Sequence, residues 1–182
     1  NQPYRSTLKE EGEHVFISMV RDGGIWQDGQ RHPLRIRKEF RFSPERHEIR
    51  VDYLLENTGD TAVDFTFGIE LAAGGMAGNA PDRYVLVDGA RPEGESVLQS
   101  RGMHDRVRTF GVADEWLQAE VRYAMEHPAT LWRFPLETVS LSEAGFERLY
   151  QGTIFMPLWA IRLDAAHGAR WHTSLTLTVT HP

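Results

Sequence analysis

Cysteine is absent from the 182 residues, which removes any disulfide framework and any thiolate-ligated metal site. No apolar run approaches the roughly 20 residues that a transmembrane helix requires. Nor does the chain open on the charged-then-apolar pattern of a secretory signal, so a cytoplasmic location with no membrane partner is expected. Positive charge is also scarce, with 20 Lys and Arg against 26 Asp and Glu for a net charge of −6. The arginines are scattered rather than gathered into a stripe, so nucleic acid is not an expected partner. Gly74, Gly75 and Gly78 lie close together but lack the GxxxxGK[ST] spacing of a phosphate loop. None of the eight histidines forms HxH or HExxH, and the closest pair, His167 and His172, flanks a turn. No metal and no cofactor is expected.

What the chain does have is alternation of period two from end to end, the pattern of strands with one buried and one wet face. Ile49, Val51, Tyr53 and Leu55 share one parity, as do Val63, Phe65, Phe67, Ile69 and Leu71. The intervening Asn57-Thr58-Gly59-Asp60 has hairpin turn chemistry, so these two runs are expected to pair antiparallel. Leu117, Ala119, Val121, Tyr123 and Met125 form another inward row, and Trp171, Thr173, Leu175, Leu177 and Val179 a last one. Weaker strands are expected at 14–20, 34–42, 83–87, 107–112, 130–136 and 154–163, a polar lead-in at 3–12, and a helical turn at 142–149 capped by Ser142. Loops 72–82 and 88–105 look unable to bury much surface. The fold class expected from this pattern is all-β, a two-sheet antiparallel β-sandwich forming a single domain over 1–182.

One run breaks the regularity. Residues 131–159, LWRFPLETVSLSEAGFERLYQGTIFMPLW, crowd aromatic rings beside Arg133, Glu137 and Glu147. Rings stack on the C–H faces of sugars while charged groups hold hydroxyls, so the composition points to carbohydrate. The same run, with FGIELAAGG at 67–75 and VADEWLQAEV at 112–121, resembles the C-terminal β-sandwich domain of glycoside hydrolase family 57, the 4-α-glucanotransferases and α-amylases. That resemblance implies a galactose-mutarotase-like sandwich excised from the C-terminal part of a larger enzyme. It also implies a parent that cleaves or transfers α-1,4-glucan with retention, through a nucleophilic glutamate and an acid/base aspartate on a catalytic barrel. The matched runs include none of that barrel, so no catalytic residue carries over.

The expected carbohydrate-binding residues are Trp132, Arg133, Glu137, Trp159 and Trp116, each set against burial or an ordinary ion pair. Arg133 and Glu137 share strand parity and are expected to pair with each other; exposed, such a pair contributes only about 0–1 kcal/mol. Trp171 belongs to a core row, and adjacent Asp114 and Glu115 point to opposite faces and cannot flank one glycosidic bond. The expected function is therefore a non-catalytic domain that packs on the parent's catalytic barrel and contacts α-glucan. The alternatives are an autonomous aldose 1-epimerase, using Glu70 or Glu137 with His104 as an acid/base pair, and a purely structural module whose exposed rings are covered by the barrel.

Overall fold

The structure, a computed structural model, describes residues 3–75, 77–142, 145–165 and 168–181, so His167 of the histidine pair above lies outside the described residues. In chain order the strands are β1 (Arg5–Glu11), β2 (His14–Gln27), β3 (Gln30–Ser43), β4 (Glu48–Asn57), β5 (Val63–Gly68), β6 (Leu71–Gly74), β7 (Arg83–Val87), β8 (Gly102–Asp114), β9 (Ala119–Ser142), β10 (Gly145–Leu163) and β11 (Arg170–Thr180). The only helix among the described residues is a 3-10 turn at Pro44–Arg46, and no helix is long and apolar enough to cross a membrane. Strand pairing is antiparallel, so the expected all-β class is what the chain adopts.

The chain forms two compact units. The first comprises Asn1–Phe67, Met125–His127 and Ala160–Thr178. In it β1, β2, β3, β4 and β11 are successive neighbours. The alternating row Val51, Tyr53 and Leu55 is buried as its parity requires. The expected hairpin between β4 and β5 does not form: β4 pairs with β3 and β11, and β5 is a neighbour of β10. The two apolar rows instead meet through their rings, Phe67 lying 5.9 Å from Tyr53 and 5.8 Å from Trp171. Asn57 is the reason the turn sequence misleads. Its amide donates to the carbonyls of Thr61 (2.8 Å) and Asp164 (2.9 Å) while its side-chain oxygen accepts from Gly59 N, so it organises a connection rather than a tight hairpin. The expected polar lead-in is the exposed strand β1, joined to β2 by its ladder and by the Arg5–Asp22 ion pair.

The second unit comprises Gly68–Ala124, Pro128–Trp159 and Val179–Pro182. Its centre is a ring cluster in which Phe110 stacks on Tyr123 at 5.0 Å and meets Phe155 at 5.1 Å. The strands run longer than their expected cores. β9 and β10 form a ladder from Thr130/Leu158 out to Ser142/Gly145, interrupted by a bulge between Tyr150 and Gly152. The expected helical turn at 142–149 is thus strand wherever it is described, because Phe146, Arg148 and Leu149 find cross-strand partners in Leu141, Val139 and Thr138. Glu143 and Ala144 lie outside the described residues.

Loop 88–101 also departs from expectation, since Leu98 and Ser100 are buried. Arg133 explains how. Its guanidinium donates to Ser100 Oγ (2.5 Å), the Glu95 carbonyl (2.7 Å) and His104 Nε2 (3.2 Å). The loop's polar groups are satisfied from within the sheet, which lets Leu98 turn inward.

A cavity beneath Trp116

Strands β8 and β9 are joined by a turn at 115–118, and the sequence DEWL determines its shape. Asp114 Oδ1 accepts the backbone N–H of Leu117 at 2.9 Å, an Asx-type turn, and Gln118 closes it at φ 49° in the left-handed region. This corrects the inward row expected from Leu117: β9 begins at Ala119, and Leu117 sits on the turn beside Trp116, which is 76% exposed. Both residues line a cavity of about 510 Å³.

Its lining draws Ala72, Ala73, Gly74 and Gly75 together with Leu98, Val112, Val121 and Tyr123. Small residues at 72–75 leave the space open, and a Cβ added at Gly74 would meet nothing within 4 Å. Charge enters through one pair: Arg83 Nε donates to Asp114 Oδ2 at 3.0 Å, both side chains being mostly buried. Burial pushes the Asp114 carboxyl up, but the N–H of Leu117, the Arg83 guanidinium and the N–H of Trp116 outweigh it and hold the group below the usual carboxylate range. Asp114 is therefore an anion at neutral pH, and Arg83 is its fixed counter-ion. An exposed ring in a mostly apolar lining that also holds a paired guanidinium and carboxylate suits a ligand with one apolar face and several hydroxyls.

The five residues singled out from the sequence are not brought together. Trp116 lines the cavity. Trp132 lies 45% exposed on the outer face of β9, next to Met103 in register. Trp159 is 6% exposed and part of the core, and Arg133 is 3% exposed and committed to loop 95–104. The expected Arg133–Glu137 ion pair is not formed. Glu137 lies instead 3.5 Å from Arg101 and 3.6 Å from Arg148, because the buried Arg133 has turned to the loop. The alternative acid/base pair is likewise occupied: His104 accepts from Arg133 while Glu137 is held between two other arginines. Burial, then the adjacent Arg133 charge, pulls the His104 imidazole below its ordinary pKa and keeps it neutral. The sequence does not single out Arg83 or Leu98 and places Tyr123 only in a core row, because these residues gather from separate strands and a loop. Among the described residues there is no cluster of three or more His, Cys, Asp or Glu able to hold a metal.

The chain matches one family description, "Alpha-amylase/4-alpha-glucanotransferase, C-terminal", over residues 1–175. It is 30% identical over 142 residues to alpha-amylase 1 of Dictyoglomus thermophilum, an alignment covering 78% of this chain and 20% of that protein. Its fold is similar to 4-alpha-glucanotransferase from Thermococcus litoralis, with TM-score 0.67 and 20% identity over 98% of this chain and 22% of that one. It is also similar to a galactose mutarotase-like protein of Clostridium acetobutylicum, with TM-score 0.67 and 10% identity over 98% and 67% of the two chains. The chain thus spans about a fifth of the length of the amylase and the transferase.

Proposed function

The chain belongs to the alpha-amylase/4-alpha-glucanotransferase C-terminal family, and from that premise we propose that it is a non-catalytic domain of a longer, cytoplasmic α-glucan-processing polypeptide. It holds glucan at the cavity beneath Trp116 while chemistry proceeds on a catalytic part of that polypeptide. The two compact units act as one functional domain, a reading supported by a single family match that runs through both. The observation that carries the glucan contact is Trp116, exposed over an apolar cavity whose lining includes the Arg83–Asp114 pair. An α-linked glucan presents the matching surface, ring C–H faces for Trp116 and hydroxyls for the guanidinium and carboxylate.

Arg133 enters this reading as a support that fixes the loop carrying Leu98 to the cavity, and Trp159 as a buried core residue. Trp132, exposed on β9, offers a second, weaker contact for a long chain, which would raise effective concentration through multivalency, while Glu137 faces the opposite side of the strand between Arg101 and Arg148. A weak accessory contact of this kind supplies binding and leaves the bond-breaking carboxylates to the rest of the polypeptide.

Titrating maltooligosaccharides against the 182-residue chain by calorimetry and tryptophan fluorescence tests the reading. Trp116→Ala is expected to weaken binding by about two- to twelvefold, the loss of one ring contact worth about 0.5–1.5 kcal/mol. Gly74→Val, placed where an added side chain meets no neighbour, is expected to weaken it without lowering the melting temperature. Absence of any heat or fluorescence change up to millimolar sugar would remove the glucan contact and leave a structural domain.

A further inference from the structure

The ladder of β9 and β10 extends past its neighbours. β8 pairs with β9 at 102–104 opposite 131–133, and β6 pairs with β10 at 152–155. Beyond those pairings residues 136–142 and 145–150 continue as a two-stranded ribbon. Each face of that ribbon carries exposed apolar side chains, with Glu137 and Arg148 among them on one face and Thr138, Ser140 and Glu147 on the other. Cross-strand register places Val139, Leu141 and Phe146 on one face, Phe146 being 79% and Leu141 74% exposed. Leu136 and Leu149 occupy the other, in the same row as the exposed Trp132 and its register partner Met103. At the base, Arg101 and Arg148 both reach Glu137, so two guanidinium groups share one carboxylate.

An isolated two-stranded ribbon is marginally stable in water, and apolar side chains on both of its faces have no reason to stay wet. What covers it can be argued from its shape and from the relatives. A second copy of this chain meeting the ribbon across a twofold axis would cover one face and leave the other exposed. A groove that receives the ribbon edge-on covers both. The alpha-amylase and 4-alpha-glucanotransferase relatives carry about four fifths of their length outside the part this chain matches.

Resting on the proposed membership of a longer glucan-processing polypeptide, we infer that the ribbon 136–150 is the docking arm for the preceding, catalytic part. The exposed apolar side chains of both faces insert into a groove of that part, and a carboxylate at the groove's rim meets Arg148 or Arg101. The arm is separate from the cavity: none of its residues lines it.

The test uses two charge-inserting double variants, Leu141→Glu with Phe146→Glu and Leu136→Glu with Leu149→Glu. Each is made both in the 182-residue chain and in the longer polypeptide that carries it. All four positions are exposed, so both variants should melt like the parent in the 182-residue chain. In the longer polypeptide each should lower the melting midpoint by several degrees and open residues 136–150 to proteolysis and hydrogen exchange. Loss confined to one face would overturn insertion. A dimer of the 182-residue chain in sedimentation, abolished by Leu141→Glu with Phe146→Glu, would make the occupant a second copy and overturn the inference. Unchanged melting and exchange in the longer polypeptide would overturn it as well. Maltooligosaccharide titration of the same variants keeps the two proposals apart, since arm variants should leave the Trp116 site's affinity unchanged whichever way docking falls.

Discussion

His104 shows how much one buried guanidinium decides. Arg133 donates to the imidazole Nε2, which requires the neutral ring, and the same charge together with burial depresses the imidazole pKa. A histidine whose folded pKa lies below its unfolded value binds its proton more readily in the unfolded chain. Its contribution to stability is therefore fully present above the unfolded pKa of about 6.5 and is lost as pH falls through the folded value. Stability is expected to decline on acidification from pH 7 to pH 5. His104→Gln keeps an acceptor for Arg133 but cannot titrate, so its urea-unfolding free energy should decline less over that interval. Parallel pH dependence in the two proteins would refute the assignment. Asp114 acts in the same direction at lower pH. Its folded pKa is depressed, so the Arg83 pair is maintained above the carboxylate range and lost only as pH falls through it. Sequence alone could not reveal either partnership, because 104 meets 133, and 83 meets 114, only once strands are paired.

At the scale of the element, β8 and β9 depend on a glycine that no strand propensity would choose. A Cβ built at Gly111 would lie 2.1 Å from the Val121 carbonyl oxygen, so the two backbones approach more closely than any side chain permits. Gly111→Ala is expected to lower stability by about 2–4 kcal/mol, since backbone rather than a flexible side chain must move. Equilibrium denaturation measures it, and a loss under about 0.5 kcal/mol would show that the ladder yields easily. The period-two rows at 49–55 and 171–177 were legible because each strand there has one apolar face. The β4–β5 hairpin was misread because a turn sequence fixes a local bend and not the partner of the strand that follows it. Leu117 was misread for a related reason: alternation continues through the turn at 115–118, while Asp114 accepts the Leu117 N–H and breaks the strand there. Ser142 suggests a helix cap for 142–149, but the extended partner strand 138–142 determines the outcome. The small-residue run at 72–75 gains its meaning as cavity lining only from the strands around it.

Across the whole molecule, no unit is built from a continuous stretch of chain. The register of β4 with β11 joins Glu48 to Thr178 and Glu56 to Arg170, so β4 gains one of its two neighbours from the far end of the sequence. Removing β11 should leave the buried row of β4 uncovered and abolish cooperative unfolding; a truncation at residue 168 that still melts sharply would contradict this. Removing β1, exposed along its whole length and paired only to β2, is expected to cost far less.

The same long-range register has a consequence for synthesis. A ribosome adding about 5–20 residues per second leaves β4 without its second neighbour for seconds after it has emerged. Throughout that interval the nascent polypeptide offers an apolar strand with one side unzipped. Expression at lower temperature, or with holdase chaperones in excess, should accordingly raise the soluble yield, because what those conditions protect is the wait for the last strand.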